Sequence, residues 1–276
     1  MLTELKRSLG RHAPTVATLF RLARNEWSHL TGSFGDVWGF PVAGASSLML
    51  AGKFESDERD FAAELLSQSN WFVDIGANIG LYSLLASSTC SEVVAVEPLM
   101  DNLRFLYKNL DHNRAHNVTV LPVAVGEHPG LLELHGGSTG ASAIEGWAGA
   151  PAEMRRLVSM LTMDQVSGLL QGGGPGLIKI DVEGFELQVL RGARGVAERR
   201  DVRWIVEICL QEMHPKSFNP HFADTFEFFW SLGYSSRFAT TSGPNISRSD
   251  VDRWFRSRSW SPPSNNILFW REPARR

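Results

Sequence analysis

The spacing of apolar residues predicts alternating strands and helices along most of the chain. Short apolar runs that end at glycine or acidic residues are typical of buried parallel strands, whereas apolar residues about three or four positions apart are typical of helices. The predicted strands are Trp71–Val73, Val93–Val96, Val118–Leu121, Leu177–Ile180, Val202–Ile208, Ser235–Ala239 and Ile267–Trp270. The predicted helices are Ser56–Ser69, one after the glycine turn at residues 76–80, Leu99–Leu110, one from Glu183 or Gly184 to Arg191, and Phe222–Leu232. This order predicts a parallel α/β sheet with right-handed crossovers.

The middle of the chain, residues 126–176, has a less regular pattern. Leu131–His135 alternates like an antiparallel strand, and Leu157–Leu161 is predicted to form another strand. Between them, Gly136–Gly149 is rich in small residues and is predicted to be a loop that could cover a substrate.

The chain is predicted to hold one main domain, residues 56–276, preceded by an extension of residues 1–55. In Met1–Leu30 basic residues interleave with apolar ones, which is typical of an amphipathic helix. Such a helix could lie on an anionic membrane surface, but packing against the domain or a partner subunit is favoured because Pro14 interrupts the pattern. Thr31–Gly52 is glycine-rich and aromatic and predicts a pair of short strands.

The composition supports a globular domain and excludes several function classes. A chain of 276 residues with 43% hydrophobic residues can bury a full core. The net charge of −3 provides no broad basic field, so nucleic acid is not expected as the main partner. Two cysteines, Cys90 and Cys209, are too few for a disulfide framework or a cysteine zinc site and are expected to be buried thiols. Since no apolar run reaches the roughly 18 residues that span a bilayer, we expect a soluble, cytoplasmic protein.

The segment from Trp71 to Pro98 carries the strongest functional signal. Its first strand ends at Asp74, and the turn that follows has the pattern Asp-x-Gly-x-Asn-x-Gly, with Gly76, Asn78 and Gly80. About 20 residues after the turn, Glu97 ends the next strand, where an acid accepts hydrogen bonds from ribose hydroxyls in doubly wound sheets. The segment therefore predicts an adenosine-binding site.

The turn is poorly suited to a dinucleotide. A pyrophosphate needs the pattern Gly-x-Gly-x-x-Gly, and here Ala77 takes the place of one glycine and Asn78 follows it. An acidic strand end at Asp74 attracts the cationic S-adenosylmethionine but repels a pyrophosphate. We therefore interpret the turn as a methyl-donor site, and an NAD-type oxidoreductase as the least favoured alternative.

Acidic residues at the next two strand ends are the candidates for chemistry. Methylation of oxygen needs a base or a metal near the acceptor hydroxyl, and Asp181 and Glu183 follow a buried strand. Lys179 is predicted to point to the same face as Asp181. Glu207 interrupts an apolar strand, so it should have a partner such as Lys179, a cofactor group or a metal. A magnesium ion between Asp181 and Glu207 is left open beside an internal ion pair.

Two further residues are weaker candidates. His214 lies in the loop after the Glu207 strand and is predicted to sit at the rim of the pocket, where its pKa suits removal of a hydroxyl proton. A solvent-facing histidine is an equal alternative. Glu186 lies on the following helix and is given a supporting role.

Four segments together resemble the FkbM family of S-adenosylmethionine-dependent methyltransferases: VDIGANIG, VVAVEP, NVTVLPVAVGE and LIKIDVEGFELQVLRG. The resemblance spans about residues 71–210 and includes the segments Ser138–Ile144 and Leu161–Val166. It implies a class I, Rossmann-like fold: a doubly wound, mostly parallel seven-stranded sheet with an antiparallel terminal strand. It also implies O-methylation of sugar or natural-product hydroxyls.

The resemblance also implies roles for individual residues. Asp74, Gly76, Asn78 and Gly80 would line the methionine end of the cofactor. Glu97, followed by Pro98, would hold the ribose, and the turn Ala124–Gly126, with Val125, would lie near the adenine. Asp164 stands in a Leu-Thr-Met-Asp run that departs from the family's usual Thr-Leu-Asp, which weakens any specific role for it.

The acceptor is expected to be a small molecule or glycan, with a sugar or glycolipid hydroxyl favoured. Its specificity should come from the Gly136–Gly149 loop and from aromatic residues near the C-terminus, namely Phe226, Phe228, Phe229, Trp230, Trp254 and Trp260. A catalytically inactive scaffold is the main alternative, although it fits poorly with an intact set of acidic residues. N-methylation is disfavoured because the chain lacks an Asn/Asp-Pro-Pro-Tyr strand end.

Overall fold

The computed structural model describes residues 28–32, 34–39, 54–137, 140–149, 155–211, 213–215 and 217–272. Most of the predicted N-terminal amphipathic helix, and with it the predicted membrane or subunit contact, lies outside the described residues. Its last three residues, 28–30, belong to a strand, so the helix prediction is wrong there.

The elements of the described residues follow the predicted alternation closely. The strands are β1 (Ser28–Gly32), β2 (Gly35–Gly39), β3 (Trp71–Ile75), β4 (Glu92–Val96), β5 (Val118–Leu121), β6 (Ala124–Gly126), β7 (Gly130–His135), β8 (Arg155–Thr162), β9 (Gly176–Ile180), β10 (Val202–Glu207), β11 (Ser235–Phe238) and β12 (Asn266–Trp270). The helices are α1 (Ser56–Leu66), α2 (Leu81–Ser87), α3 (Met100–His112), α4 (Met163–Ser167), α5 (Glu186–Arg191), α6 (Arg194–Ala197), α7 (Phe222–Ser231) and α8 (Arg248–Ser257). Trp147–Gly149 forms a short 3-10 helix.

A seven-stranded sheet with the order β11-β12-β10-β9-β3-β4-β5 forms the centre of the molecule. Neighbouring strands from β10 to β5 run parallel, whereas β12 is antiparallel to both β10 and β11. Strand β3 is buried along its whole length, which explains why its residues are apolar except for Asp74. The predicted doubly wound, mostly parallel sheet with an antiparallel terminal strand is confirmed.

Alternate residues of each strand face two separate layers of helices. Trp71, Val73 and Ile75 of β3 belong to a large core with helices α4 to α7 and the C-terminal aromatic residues. Phe72, between them, joins a second core with α1 and α2. This alternation places one hydrophobic core on each face of the sheet. None of the helices in the described residues is long and apolar enough to cross a membrane.

A smaller sheet of three strands, in the order β6-β8-β7, was only partly predicted. The predicted strands Leu131–His135 and Leu157–Leu161 are present as β7 and β8, which pair antiparallel. Ala124–Gly126, predicted to be a turn, is instead strand β6, because its backbone pairs with Met160–Thr162 of β8.

The remaining helices differ from the sequence prediction in their bounds or existence. Helix α5 begins at Glu186, since Glu183 and Gly184 have φ angles of 55° and 94° that cannot continue a right-handed helix. Helix α8 was not predicted. Its start is capped by Ser247 and Asp250, each of which hydrogen-bonds the backbone N–H of the other.

The hairpin β1–β2 confirms the predicted pair of short strands, although it starts earlier in the chain than Thr31. Its backbone is tied to helix α3: the Trp38 N–H donates to Asn109 Oδ1 at 2.7 Å, and Asn109 Nδ2 donates to the Trp38 carbonyl at 3.0 Å. The hairpin therefore packs on the main domain. Both cysteines are free thiols; Cys90 is buried, as expected, whereas Cys209 is only half-buried.

Candidate active site

A cavity of about 370 Å³ opens at the carboxyl ends of β3, β4, β9 and β10. This is the edge where open α/β sheets bind ligands. The sequence-predicted site residues that line it are Asp74, Gly76, Asn78, Glu97, Pro98, Ala124, Val125, Lys179, Asp181, Glu183 and Glu207. Gly80 and His214 are not among the lining residues.

The glycine turn after β3 allows two parts of the backbone to approach closely. Gly76 has a φ of 85°, and a Cβ built on it would lie 1.9 Å from the carbonyl oxygen of Asp181. A side chain there would push apart the ends of β3 and β9. Gly80 has a φ of 92°, and its Cβ would lie 2.5 Å from Leu106 of α3. Gly80 therefore serves the packing of α2 on α3.

Glu97 is buried and is held by backbone N–H groups from both sides. Its Oε2 accepts from Asn78 at 3.0 Å, and its Oε1 accepts from Leu99 at 2.8 Å. Burial raises the pKa of Glu97 to about 7, although these hydrogen bonds oppose the rise. Each carboxylate oxygen can accept more than one hydrogen bond, so Glu97 retains capacity to accept from ligand hydroxyls.

Asn78 adds an acceptor beside Glu97. It has a φ of 53°, and its Oδ1 is buried without a hydrogen-bond partner among the described residues. Buried polar atoms normally have partners, so this oxygen fits a site that receives a ligand donor. The turn thus presents acceptors and no phosphate cradle, which matches an uncharged nucleoside.

Asp74 lies inside strand β3, not beyond its end, because β3 continues to Ile75. Its Oδ2 accepts a 2.6 Å hydrogen bond from the Ser83 hydroxyl of α2. Burial raises the pKa of Asp74, while the nearby Lys179 ammonium and the Ser83 hydrogen bond act to lower it. Asp74 is thus one of several acidic side chains that surround the Lys179 ammonium group.

Lys179 is 3% exposed and pairs with Asp181, its Nζ lying 2.7 Å from Oδ2. This confirms that the two side chains share a face of β9. The Nζ also lies 4.7 Å from the centre of the Tyr82 ring. Burial alone would lower the pKa of Lys179, but attraction to Asp181, Asp74 and Glu55 raises it above its usual value. Lys179 is therefore fully charged.

Glu207 is a protonated, uncharged carboxyl group. The negative charge of Asp181, and then burial, raise the pKa of Glu207 well above its usual value. The protonated carboxyl donates to Asp181, whose own pKa is lowered: burial raises it, but Lys179 and the Glu207 hydrogen bond outweigh that effect. Glu207 is thus paired with the Asp181 carboxylate, which was not among the partners predicted for it, namely Lys179, a cofactor group or a metal. The described residues include no group of three or more His, Cys, Asp or Glu suited to a metal ion, so the magnesium hypothesis gains no support here.

Glu183 connects the cavity to the loop at residues 140–149. Its φ of 55° is rare for a residue with a side chain. Its Oε2 accepts a 2.6 Å hydrogen bond from Trp147 Nε1, and its carbonyl accepts one of 2.6 Å from the Ser142 hydroxyl. Burial and the charge of Asp181 raise the pKa of Glu183 to about 8, while the Trp147 hydrogen bond opposes them.

The remaining acidic and histidine candidates have supporting positions. His214 is half-buried and contacts Trp147 edge-on, with ring centres 5.9 Å apart, and it is not among the residues that line the cavity. Glu186 is buried, and its Oε1 accepts from the Gly184 N–H at 2.9 Å. Asp164 caps α6 by accepting from the N–H groups of Gly195 and Val196.

The aromatic residues proposed to set specificity are not in the cavity wall. Phe226 and Phe229 are fully buried in the core, and Trp260 is buried beside them. Phe228, Trp230 and Trp254 pack against the same core. The Gly136–Gly149 loop, which was also predicted to contact the substrate, does reach the cavity, because Ala141 and Ala143 line it.

Among the lining residues that sequence reasoning missed, Glu55 and Tyr82 bring polar groups to the Lys179 side of the cavity. Glu55 precedes α1, and Tyr82 lies on α2; the Tyr82 hydroxyl donates to Glu55 Oε2 at 2.8 Å. Tyr82 follows the glycine turn by two residues and could have been included with it. No feature of the sequence around Glu55 points to a ligand.

Comparison with sequence families gives a match to the methyltransferase FkbM domain over residues 74–236, more than half of the chain. Comparison with curated proteins gives no match. The matched region contains every residue predicted to bind the cofactor or to take part in catalysis.

Among solved structures, the chain is similar to methyltransferase FkbM from Methylobacillus flagellatus KT, with 18% sequence identity and a TM-score of 0.45, covering 96% of this chain and 60% of that one. It is also similar to precorrin-6y C5,15-methyltransferase from Geobacter metallireducens GS-15, with 15% identity and a TM-score of 0.44, covering 80% and 88%.

Proposed function

Since this chain belongs to the methyltransferase FkbM domain family, we propose that its cavity binds S-adenosylmethionine and that it methylates a hydroxyl group of a sugar, glycolipid or natural product. The sheet described above is the class I, Rossmann-like arrangement of such methyltransferases. The observation that carries the proposal is Glu97: a buried carboxylate at the end of β4, fixed by Asn78 and Leu99 and facing the cavity.

The charges of the cavity favour a cationic donor. Six acidic side chains line the cavity, and Lys179 is the single basic side chain among the described lining residues; the acidic ones are Glu55, Asp74, Glu97, Asp181, Glu183 and Glu207. A pyrophosphate would be repelled by this set, whereas the donor's net positive charge is attracted. Glu97 would hold the ribose hydroxyls, and Ala124 and Val125 would pack against the adenine.

Glu183 is the best-suited general base. When bound, the donor supplies a sulfonium methyl group, which an acceptor oxygen attacks as the carbon–sulfur bond breaks. A base with a pKa near the working pH takes the hydroxyl proton most effectively, and the pKa of Glu183 is about 8. The low pKa of Asp181 makes it a weaker base, so it would orient the acceptor hydroxyl together with Lys179 and the protonated Glu207.

The part of the cavity wall formed by the 140–149 loop has small side chains, which leave room for a sugar-sized acceptor. Ala141 and Ala143 line the cavity together with Leu132 and Leu134 of β7. Carboxyl groups next to an apolar wall suit an acceptor that presents hydroxyls on one edge and a ring face on the other. This supports a glycan, glycolipid or polyketide hydroxyl as the target.

Calorimetric titration of S-adenosylmethionine into the wild-type protein and Glu97→Ala tests the donor site. We expect micromolar binding that weakens roughly 10- to 100-fold in the variant, because hydrogen bonds to a charged group contribute about 1.5 to 3 kcal/mol. Asp111→Ala, an exposed carboxylate on α3, is the matched control and should bind like the wild type. NAD should give no heat.

The outcomes separate the rival functions. A wild-type protein that binds NAD and not the methyl donor would be an oxidoreductase, and one that binds neither would be a scaffold. Once donor binding is established, formation of S-adenosylhomocysteine is measured with a panel of hydroxylated sugars and glycolipids. Turnover only with amine-bearing acceptors would contradict O-methylation.

A further inference from the structure

Glu55 enters the cavity from outside the region that matches the family. That region begins at residue 74, whereas Glu55 precedes α1 and has a φ of 44°. Together with Phe54, it lines the same cavity as Asp74, Lys179 and Asp181. The segment before α1 therefore contributes a charged group to the site.

The Glu55 carboxylate is held in place through Tyr82. The Tyr82 hydroxyl donates to Glu55 Oε2 at 2.8 Å. The Tyr82 ring contacts Phe34 edge-on, with ring centres 5.4 Å apart, and carries the Lys179 Nζ at 4.7 Å on its face. Phe34 is itself buried and precedes β2. The N-terminal segment and α2 thus fix one carboxylate oxygen and leave the other for a ligand.

The charges around Glu55 leave it without an ion-pair partner. Lys179 attracts it but is already paired with Asp181, and among the described residues Glu55 forms no ion pair. Burial raises the pKa of Glu55, and Lys179 and the Tyr82 hydrogen bond oppose this rise without cancelling it, so the ionised form is still disfavoured by the loss of water. A cationic group of the ligand would compensate for this loss.

The order of groups along the cavity identifies that cationic group. In the strand order β9-β3-β4-β5, Lys179, Asp74 and Glu97 belong to three successive strands or their ends, and Ala124 and Val125 follow β5 along the chain. Glu55 lies with Tyr82 and Lys179, at the β9 end of this row. A donor whose ribose is on Glu97 and whose adenine is near Val125 directs its methionine end toward Glu55. We propose that Glu55 binds the α-ammonium group of the donor, so that the extension before α1, residues 1–55, supplies a donor-binding residue. This inference rests on the proposed function.

Calorimetry with two donor-related probes tests the proposal. S-adenosylhomocysteine carries the α-ammonium group, whereas methylthioadenosine keeps the adenosine and lacks the amino-acid end. We expect Glu55→Gln to weaken the first probe about tenfold or more and to leave the second within about twofold. Glu64→Gln, an exposed carboxylate on α1, is the matched control and should change neither. Thermal unfolding verifies that each variant is folded.

Each result separates the inference from the function on which it rests. Failure of the wild-type protein to bind either probe overturns the donor site and the role of Glu55 with it. If the wild type binds both, equal weakening of the two probes by Glu55→Gln, or no weakening of S-adenosylhomocysteine, overturns the role of Glu55 alone. If Glu55→Gln does not fold, Tyr82→Phe replaces it, with a smaller loss expected for S-adenosylhomocysteine only.

Discussion

Lys179 is the ammonium group around which the carboxyl groups of the cavity are arranged. It is ion-paired with Asp181 and attracted by Asp74 and Glu55, so its charge is retained despite burial. Glu207 loses its charge because Asp181 keeps one. In this site Lys179 and Asp181 form a charged pair and Glu207 is protonated. Glu183, whose pKa is about 8, can therefore exchange a proton near neutral pH.

The hydrogen bond from Trp147 to Glu183 should set the pH dependence of catalysis. It stabilises the carboxylate, so Trp147→Phe should raise the pKa of Glu183 above about 8. We expect kcat/KM, which rises with pH as the base loses its proton, to reach its midpoint roughly 0.5 to 1 pH unit higher in the variant. The measurement is a pH profile of kcat/KM with an acceptor from the sugar screen.

Two further variants serve as a control for the Trp147 variant and as a direct test of the base. Trp254→Phe removes an indole from α8, away from the cavity, and should leave the midpoint unchanged. Glu183→Gln should abolish the rising limb of the profile while S-adenosylmethionine binding persists. A midpoint that does not move in Trp147→Phe, or that moves downward, would show that another group is the base.

Single residues were predictable from the sequence where strand geometry alone determines their position. Asp74, Glu97, Asp181 and Glu207 follow from parallel strands whose carboxyl ends share one edge of the sheet. The proton on Glu207 was not predictable, because adjacent strand ends bring Asp181 and Glu207 together without showing whether a metal, an ion pair or a proton compensates their charges. Glu55 was not predictable for a different reason: it lies outside the strand ends and contacts Tyr82 only in the folded chain.

At the scale of elements, the joint between β3 and β9 depends on a residue without a side chain. A Cβ on Gly76 would lie 1.9 Å from the Asp181 carbonyl, and its φ of 85° is unfavourable for alanine. We expect Gly76→Ala to lower the free energy of unfolding by about 3 kcal/mol or more, through strain and separation of the strands. Urea unfolding followed by circular dichroism measures the change.

Gly130 provides the comparison for Gly76. It begins β7, and a Cβ built there has nothing within 4 Å. Gly130→Ala should therefore change the free energy of unfolding by no more than about 0.5 kcal/mol. Equal stability of the two variants would show that the backbone at Gly76 can relax, and the close approach would then impose no requirement for glycine.

Strands of the central sheet were predicted well even where their burial differs. Strand β5 has the predicted bounds although it is only partly buried, and the buried strands β3, β4 and β9 differ by at most two residues, because short apolar runs identify them in the sequence. Helix α8 was missed although Val251, Trp254 and Phe255, at positions i, i+3 and i+4, form an apolar stripe that packs on the core. Its capping pair, Ser247 and Asp250, was a second available signal.

At the scale of the whole molecule, the sequence predicts the large sheet better than its attachments. The central sheet follows from alternating local patterns and right-handed crossovers. The three-stranded sheet depends on pairing between Ala124–Gly126 and Met160–Thr162, two segments far apart in sequence. The hairpin β1–β2 is bound to α3 by the side chain of Asn109. Such contacts have no local periodicity, so they are seen only in the folded chain.

The carboxyl groups of the site also determine how the stability of the whole molecule varies with pH. Burial raises the pKa values of Glu97 and Glu186 to about 7, and burial and Asp181 raise that of Glu183 to about 8, from the ordinary value of 4.5. Between about pH 4.5 and 8 the folded chain therefore binds more protons than the unfolded chain. Stability must then fall as the pH rises through this window.

The free energy of unfolding should decrease by roughly 2 to 5 kcal/mol between pH 5 and pH 8, counting the buried Glu97 and Glu186 at about 1.4 kcal/mol per pH unit each. Asp181, whose pKa is lowered, acts in the opposite direction but below this window. Urea unfolding at several pH values measures the slope. Glu186→Gln should make it shallower, whereas Glu198→Gln, an exposed control, should not. Stability that is constant or rises from pH 5 to 8 would mean that these carboxyl groups are ionised in the folded chain, and the cavity would then be more hydrated than its geometry indicates.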